Sequence, residues 1–133
     1  MQKDSRIFVA GHRGLVGSAI VRRLQKEGYE NIITRTRQEL DLMDQVAVKK
    51  FFRSEGIDYV FDAAARVGGI HANDTYSAEF IYQNTQIQTN LIHYAYEYGV
   101  QKFLFLGSVC IYPKFADTPV QEESLMTGEL EPT

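Results

Sequence analysis

Cysteine occurs once in these 133 residues, at Cys110, so an internal disulfide is excluded and a reducing compartment fits. Proline is also scarce, with 3 against 10 glycines. No apolar run approaches the ~20 residues of a membrane helix. No signal-type apolar segment separates Met-Gln-Lys-Asp-Ser-Arg from the first strand pattern. A basic block is missing as well. The 14 Lys and Arg face 17 Asp and Glu, and a net charge of -3 gives no electrostatic reason to bind nucleic acid. Repeats and low-complexity stretches are absent. What remains is 44% apolar and 23% charged, enough to bury a core. The expectation is one soluble, cytoplasmic α/β domain over 1–133.

The patterning alternates strands with helices. Ile7–Ala10 is a short continuous apolar run, as in a strand covered on both faces. Residues 14–28 follow on helical spacing, with Leu15, Ala19, Ile20 and Leu24 as the apolar set and Gly28 as the stop. Ile32-Ile33-Thr34 predicts a second strand. Asp44 is placed to cap a helix to Glu55, with Val48, Phe51 and Phe52 inward and Gly56 as its end. A brief strand is expected around Leu40–Leu42, and a buried one at Tyr59-Val60-Phe61. Residues 66–76 read as a loop. A long helix from Ser77 to Tyr98 carries the stripe Phe80, Asn84, Ile87, Leu91 and Tyr94, and Phe103–Leu106 reads as a further buried strand. The tail from Pro113 has weak pattern. Such alternation implies right-handed crossovers and a Rossmann-like, doubly wound parallel sheet. Its second half is only partly present, which leaves one sheet edge and one face uncovered.

Gly11-His12-Arg13-Gly14-Leu15-Val16-Gly17 stands between the first strand and the first helix. In such a turn the first glycine permits the tight bend, the second lets backbone approach a phosphate, and the third lets helix and sheet pack closely. The free N–H groups of the helix start then face an anion. An acid about 20 residues further on would hold a ribose 2′-hydroxyl, whereas arginine suits a 2′-phosphate. Arg37 stands 20 residues after Gly17, with Arg35 beside it, and Arg13 inside the turn reaches toward the same place. Two planar forks make a good phosphate clamp. The competing readings are solvated surface charges, and Glu39 as a displaced NAD-type acid. NADP is the favoured cofactor.

Ala63-Ala64-Ala65 allows backbone to pass close to a cofactor, although three alanines also suit plain packing. Gly107-Ser108-Val109-Cys110 follows the last strand, at the sheet edge where ligands react in open α/β sheets. Ser108 there is either a hydroxyl donor to a substrate carbonyl or a turn residue. Cys110 reads either as a thiolate base or as a small buried hydrophobe, and its residues alone favour the latter.

Several longer words narrow this. The glycine spacing is that of the extended short-chain dehydrogenase/reductases. Ala-Gly-His-Arg-Gly-Leu-Val-Gly-Ser-Ala-Ile (10–20), Ala-Ala-Ala-Arg-Val-Gly-Gly-Ile (63–70), Phe-Ile-Tyr-Gln-Asn (80–84), Gly-Ser-Val-Cys-Ile-Tyr-Pro (107–113) and Leu-Glu-Pro-Thr (130–133) closely resemble the GDP-L-fucose synthases. The resemblance runs over essentially the whole chain. It implies NADPH as cofactor, and conversion of GDP-4-keto-6-deoxy-D-mannose to GDP-L-fucose by 3,5-epimerisation and 4-keto reduction. By this resemblance Gly11, His12, Arg13, Gly14, Leu15, Val16 and Gly17 hold the cofactor. Arg37, Asp41 and Leu42 take its adenosine end, and Ala63, Ala64, Leu106 and Gly107 complete the contacts. Ser108 becomes the catalytic hydroxyl and Cys110 the epimerisation base. No metal ligands are implied.

Two positions depart from the family pattern: Val109 stands where serine is common, and Asp41 where asparagine is usual. The family's Tyr-x-x-x-Lys pair lies beyond Glu-Pro-Thr, as do its acidic histidine, its GDP-sugar domain and the second helix of its dimer interface. The resemblance is therefore to the first part of such an enzyme, and this polypeptide alone is expected to be inactive. The alternatives are a nucleotide-binding or interaction module that needs a partner chain, and another NAD(P)-dependent nucleotide-sugar epimerase or reductase.

Overall fold

The computed structural model describes residues 1–132. Four parallel strands, β1 (Ile7–Ala10), β2 (Ile32–Ile33), β3 (Tyr59–Asp62) and β4 (Lys102–Phe105), lie in the order β2-β1-β3-β4. Ile7 pairs with Ile32 on one side and Tyr59 on the other, and Asp62 pairs with Phe105. Helices α1 (Leu15–Lys26), α2 (Gln45–Glu55), α3 (Ile70–Thr75) and α4 (Ser77–Glu97) connect them. This is a Rossmann-like sheet, and its strand order reverses between β1 and β3. A crevice therefore opens at the carboxyl ends of those two strands.

Alternation along the strands divides the core. Ile7 and Val9 pack on one face with Leu24 of α1, and Ile20 borders them. Phe8, Ala10 and Val60 pack on the other with Val48, Phe51 and Phe52 of α2 and Leu91 and Tyr94 of α4. The Phe8 and Phe51 rings meet at 4.7 Å, and Phe52 stands edge-on to both. Asp44 caps α2 as expected, its Oδ1 accepting the N–H groups of Val46 and Ala47. Gly56 ends it with φ +56, a left-handed conformation that favours glycine.

Several expectations require correction. No strand forms at Leu40–Leu42. Asp41 instead folds the chain into a turn, accepting the Met43 N–H, and Leu40 plugs the core. The segment 66–76 is not wholly a loop, because the Asn73 amide donates to the carbonyls of Gly68 and Gly69 and closes the short helix α3. Leu15 and Ala19 do not join the inward face of α1, and Leu15 is 89% exposed. The last strand is shifted to Lys102–Phe105 and is not buried, since among the described residues it pairs with β3 alone and only Phe103 packs against the core. The exposed apolar side chains of Leu104, Phe105 and Leu106 are the uncovered edge and face that the halved pattern implies.

One core position goes against patterning. Asp62 ends β3 fully enclosed, its Oδ1 accepting the Ala64 N–H while Oδ2 has no partner among the described residues. Burial raises its pKa from 3.8 to about 6, against the lowering effect of the Ala64 N–H. A raised native pKa means that this carboxyl favours folding below 3.8 and that the benefit is lost as pH rises to about 6. That difference amounts to about 3 kcal/mol. Asp62→Asn is expected to melt higher than wild type at pH 7, with the gap closing toward pH 4. A thermal melt series over pH checks this, and a constant gap would contradict it.

Candidate functional site

The glycine turn is shaped by what it cannot accommodate. A Cβ on Gly11 would lie 2.4 Å from the Ala63 carbonyl oxygen, at a φ of +74. One on Gly17 would lie 2.2 Å from the Gly11 carbonyl oxygen. The turn is therefore pinned between the end of β3 and the first turn of α1. Gly14 is extended and donates its N–H to the Gly11 carbonyl at 2.9 Å.

Helices α1 and α2 begin differently. The start of α2 is capped by Asp44, but Gly14 leads into α1 with no side-chain cap, and α1 has no acid in its first turn. Its first N–H groups face a cleft of about 830 Å³, a size suited to a small-molecule ligand. Leu15 and Val16 line this cleft, which explains why such large apolar groups are exposed.

Topology puts β2 on one side of the turn and β3 on the other. On the β2 side the cleft is walled by Arg35, Thr36, Arg37, Asp41 and Leu42, and Arg13 joins them from the turn. The two neighbouring arginines are not equivalent. Arg35 is committed to the fold, pairing with Glu55 at 2.5 Å and lying over the Phe51 ring. Arg37 is largely exposed and only loosely paired with Asp41, at 3.9 Å. Arg13 makes no ion pair among the described residues. Glu39, the alternative ribose acid, accepts the Thr36 N–H at 2.7 Å. That bond, with Arg35 and Arg13 nearby, holds its carboxyl below the usual range.

On the β3 side the wall is Ala63, Ala64, Ala65, Arg66 and Val67, with Gln83 and Ile87 from α4. Arg66 and Gln83 were not singled out from sequence. Only the run Arg-Val-Gly-Gly and the one-turn spacing of Gln83 and Ile87 point to them. His12 and Gly14 also line the cleft, whereas Gly17 stands behind it as the contact that closes the turn. Leu106, Gly107, Ser108 and Cys110 follow β4 and do not line it. Ser108 Oγ accepts the Cys110 N–H at 3.2 Å, and Cys110 is exposed. The spacing Tyr-x-x-x-Lys does occur once, at Tyr98 and Lys102. It joins the end of α4 to the start of β4, at the opposite edge of the sheet from the cleft.

An uncapped helix start, backbone bared by glycine and an arginine pair at one end fit a dinucleotide that carries an extra phosphate. The sequence profile of the NAD dependent epimerase/dehydratase family matches residues 7–133. The chain belongs to that family. Among curated relatives, it is 63% identical to GDP-L-fucose synthase 1 of Arabidopsis thaliana, over 98% of this chain and 41% of that protein. It is 58% identical to GDP-L-fucose synthase of Escherichia coli strain K12, over 96% and 40%. A solved structure of MlghC, a GDP-mannoheptose C4 reductase from Campylobacter jejuni with NADP bound, superposes with a TM-score of 0.93 at 47% identity. It is covered over 41% of its length and this chain over 98%. The chain thus spans about 40% of the length of the curated relatives it matches. No described helix is long and apolar enough to cross a membrane, and no cluster of described residues has the composition of a metal site.

Gly17→Ala sets two effects against each other. Alanine gains about 1 kcal/mol of helix propensity, but its Cβ collides with backbone at 2.2 Å. Overpacking of this kind costs about 1–3 kcal/mol, and backbone gives way less readily than a flexible side chain. A net loss of stability is expected in chemical denaturation, and a stabilised variant would show that the turn is not pinned as described.

Proposed function

We propose that residues 1–133 are an NADP-binding domain of a GDP-L-fucose synthase, acting on GDP-4-keto-6-deoxy-D-mannose by 3,5-epimerisation and NADPH-dependent 4-keto reduction. One observation carries the reading: the glycine cradle ends at Arg13 and Arg37, both unencumbered by tight ion pairs, while Glu39, the alternative ribose acid, is occupied with Thr36. The names of the relatives and the NADP in the Campylobacter jejuni reductase support it.

In this reading the diphosphate lies over the turn formed by Gly11, His12, Gly14, Leu15 and Val16, which Gly17 closes from behind. The adenosine end lies against Arg13, Arg37, Asp41 and Leu42. The nicotinamide end runs past Ala63 and Ala64 toward Leu106 and Gly107. NADPH, when bound, supplies the hydride for the C4 ketone. Ser108 donates its hydroxyl proton toward the substrate carbonyl, and it is free to do so because its oxygen accepts from Cys110. Cys110 acts as the base that removes, in turn, the protons the ketone acidifies at C3 and C5, and an acid outside residues 1–133 returns each proton to the opposite face of the carbon.

In this reading the proton donor and the substrate pocket come from the remaining length of a GDP-L-fucose synthase, outside residues 1–133. This polypeptide alone should therefore be inactive, and the longer enzyme a homodimer that packs in part through α4. A lone thiol and a reduced nicotinamide cofactor suit the cytoplasm.

Arg37→Glu is expected to weaken NADPH binding by about tenfold or more, the scale of a lost charge-assisted contact, while NADH binding changes little. Fluorescence titration of both cofactors tests this, and an unaltered preference for NADPH overturns the clamp. Separately, the purified chain given GDP-4-keto-6-deoxy-D-mannose should consume no NADPH. Steady turnover in that assay would refute the proposed inactivity.

A further inference from the structure

Besides Arg13, Arg35 and Arg37, a fourth guanidinium lines the cleft and has no part in the 2′-phosphate clamp. Arg66 lies on the β3 side of the glycine turn, opposite Arg37, because β1 and its turn separate β2 from β3. No carboxylate pairs with it among the described residues. Three independent contacts nevertheless fix where it stands.

The first holds the backbone. The Arg66 N–H donates to Asn84 Oδ1 at 2.7 Å, and the Arg66 carbonyl accepts from Asn84 Nδ2 at 3.0 Å. A single side-chain amide of α4 thus satisfies both polar groups of this residue, as a neighbouring strand would. The second holds the side chain. The guanidinium carbon lies 4.6 Å from the ring centre of Phe80 and 5.8 Å from that of Tyr76. An aromatic face supports the flat cation without using its N–H donors, so the fork remains free at its edge. The third shapes the chain beyond. A Cβ on Gly68 would lie 3.0 Å from both the Phe80 ring and the Ala72 Cβ, so the segment packs closely over that ring and a larger residue there would have to push these neighbours aside.

A cation held this firmly, half-buried, in a ligand cleft and without an acid beside it has the properties of an anion-binding group and not of a structural ion pair. Contrast Arg35, whose charge is spent on Glu55. Resting on the dinucleotide reading of the cleft, we propose that Arg66 binds a diphosphate bridge and that Asn84 is its positioning residue. The shared chemistry is a diphosphate between two riboses or between ribose and sugar, supplied either by the dinucleotide cofactor or by a nucleoside diphosphate sugar.

Titration of the 133-residue chain with three probes separates the sources. NADPH carries the bridge, 2′,5′-ADP carries the 2′-phosphate without it, and GDP carries the diphosphate of a sugar nucleotide. In Arg66→Gln, NADPH affinity is expected to fall about tenfold, the scale of one charge-assisted contact, with 2′,5′-ADP unchanged. A fall confined to GDP assigns the same group to the sugar nucleotide and also supports the proposal. Unchanged affinity for both NADPH and GDP overturns it. Should Arg66→Gln lose its circular-dichroism signature of folding, Arg66→Met, which keeps the apolar stem, carries the same expectation. Asn84→Ala should weaken the same ligand by a smaller factor and leave 2′,5′-ADP alone, whereas an equal loss on every ligand would mean that Asn84 only supports the fold. A wild-type chain that binds neither NADPH nor 2′,5′-ADP overturns the cofactor reading itself. Binding of both, undisturbed in the variant, overturns only the role of Arg66.

Discussion

The approach of the Gly17 position to the Gly11 carbonyl, and of the Gly11 position to the Ala63 carbonyl, governs the rest of the molecule. These contacts bring three elements to one point with no side chain between them. The end of β1 turns there, the end of β3 passes beside it, and α1 starts from it. Because the sheet order reverses at this point, the same contacts set the width of the cleft and the direction in which the helix start faces. Close backbone packing excludes side chains at Gly11 and Gly17, and so leaves N–H groups as the surface a ligand meets.

The other polar groups divide according to whether the fold already uses them. Asp44 consumes the start of α2, and Glu55 holds both Arg6 and Arg35. Glu39 is tied into its own turn. Around the cleft the fold leaves the start of α1 without a side-chain cap and Arg13 and Arg66 without an ion pair among the described residues, and it holds Arg37 only loosely through Asp41. Unspent positive charge beside bared backbone is a binding property, since an isolated protein gains nothing from assembling like charges. Asp62 is the opposite case, a carboxyl carried into the core beneath that cleft, where burial keeps it protonated to about pH 6.

Much of the fold was legible in local pattern. Val48, Phe51 and Phe52 faced inward because helical spacing and the Asp44 cap agree on phase. Leu91 and Tyr94 did likewise on α4. The errors arose where a distant partner, or the lack of one, decided the outcome. Leu15 follows helical spacing, but the cleft at that point contains no protein to meet it. Residues 103–106 read as buried because apolar runs usually are, yet among the described residues β4 pairs on one edge only and most of it stays exposed. The helix at Ile70–Thr75 depends on Asn73 bonding back to two glycine carbonyls, a contact that carries no apolar period.

The sequence by itself determined the strand–turn–helix order, the glycine positions, the candidate clamp of Arg13 and Arg37 and the resemblance that names the chemistry, because all of these depend on short spacing. Tertiary structure alone distinguished Arg37 from its neighbour Arg35, for the partner that removes Arg35 lies 20 residues away on α2. It also brought Arg66 into the cleft, through an amide 18 residues further along the chain. Which charges are available to a ligand follows from which ones the fold has already paired, and pairing across the sheet leaves no trace in local sequence.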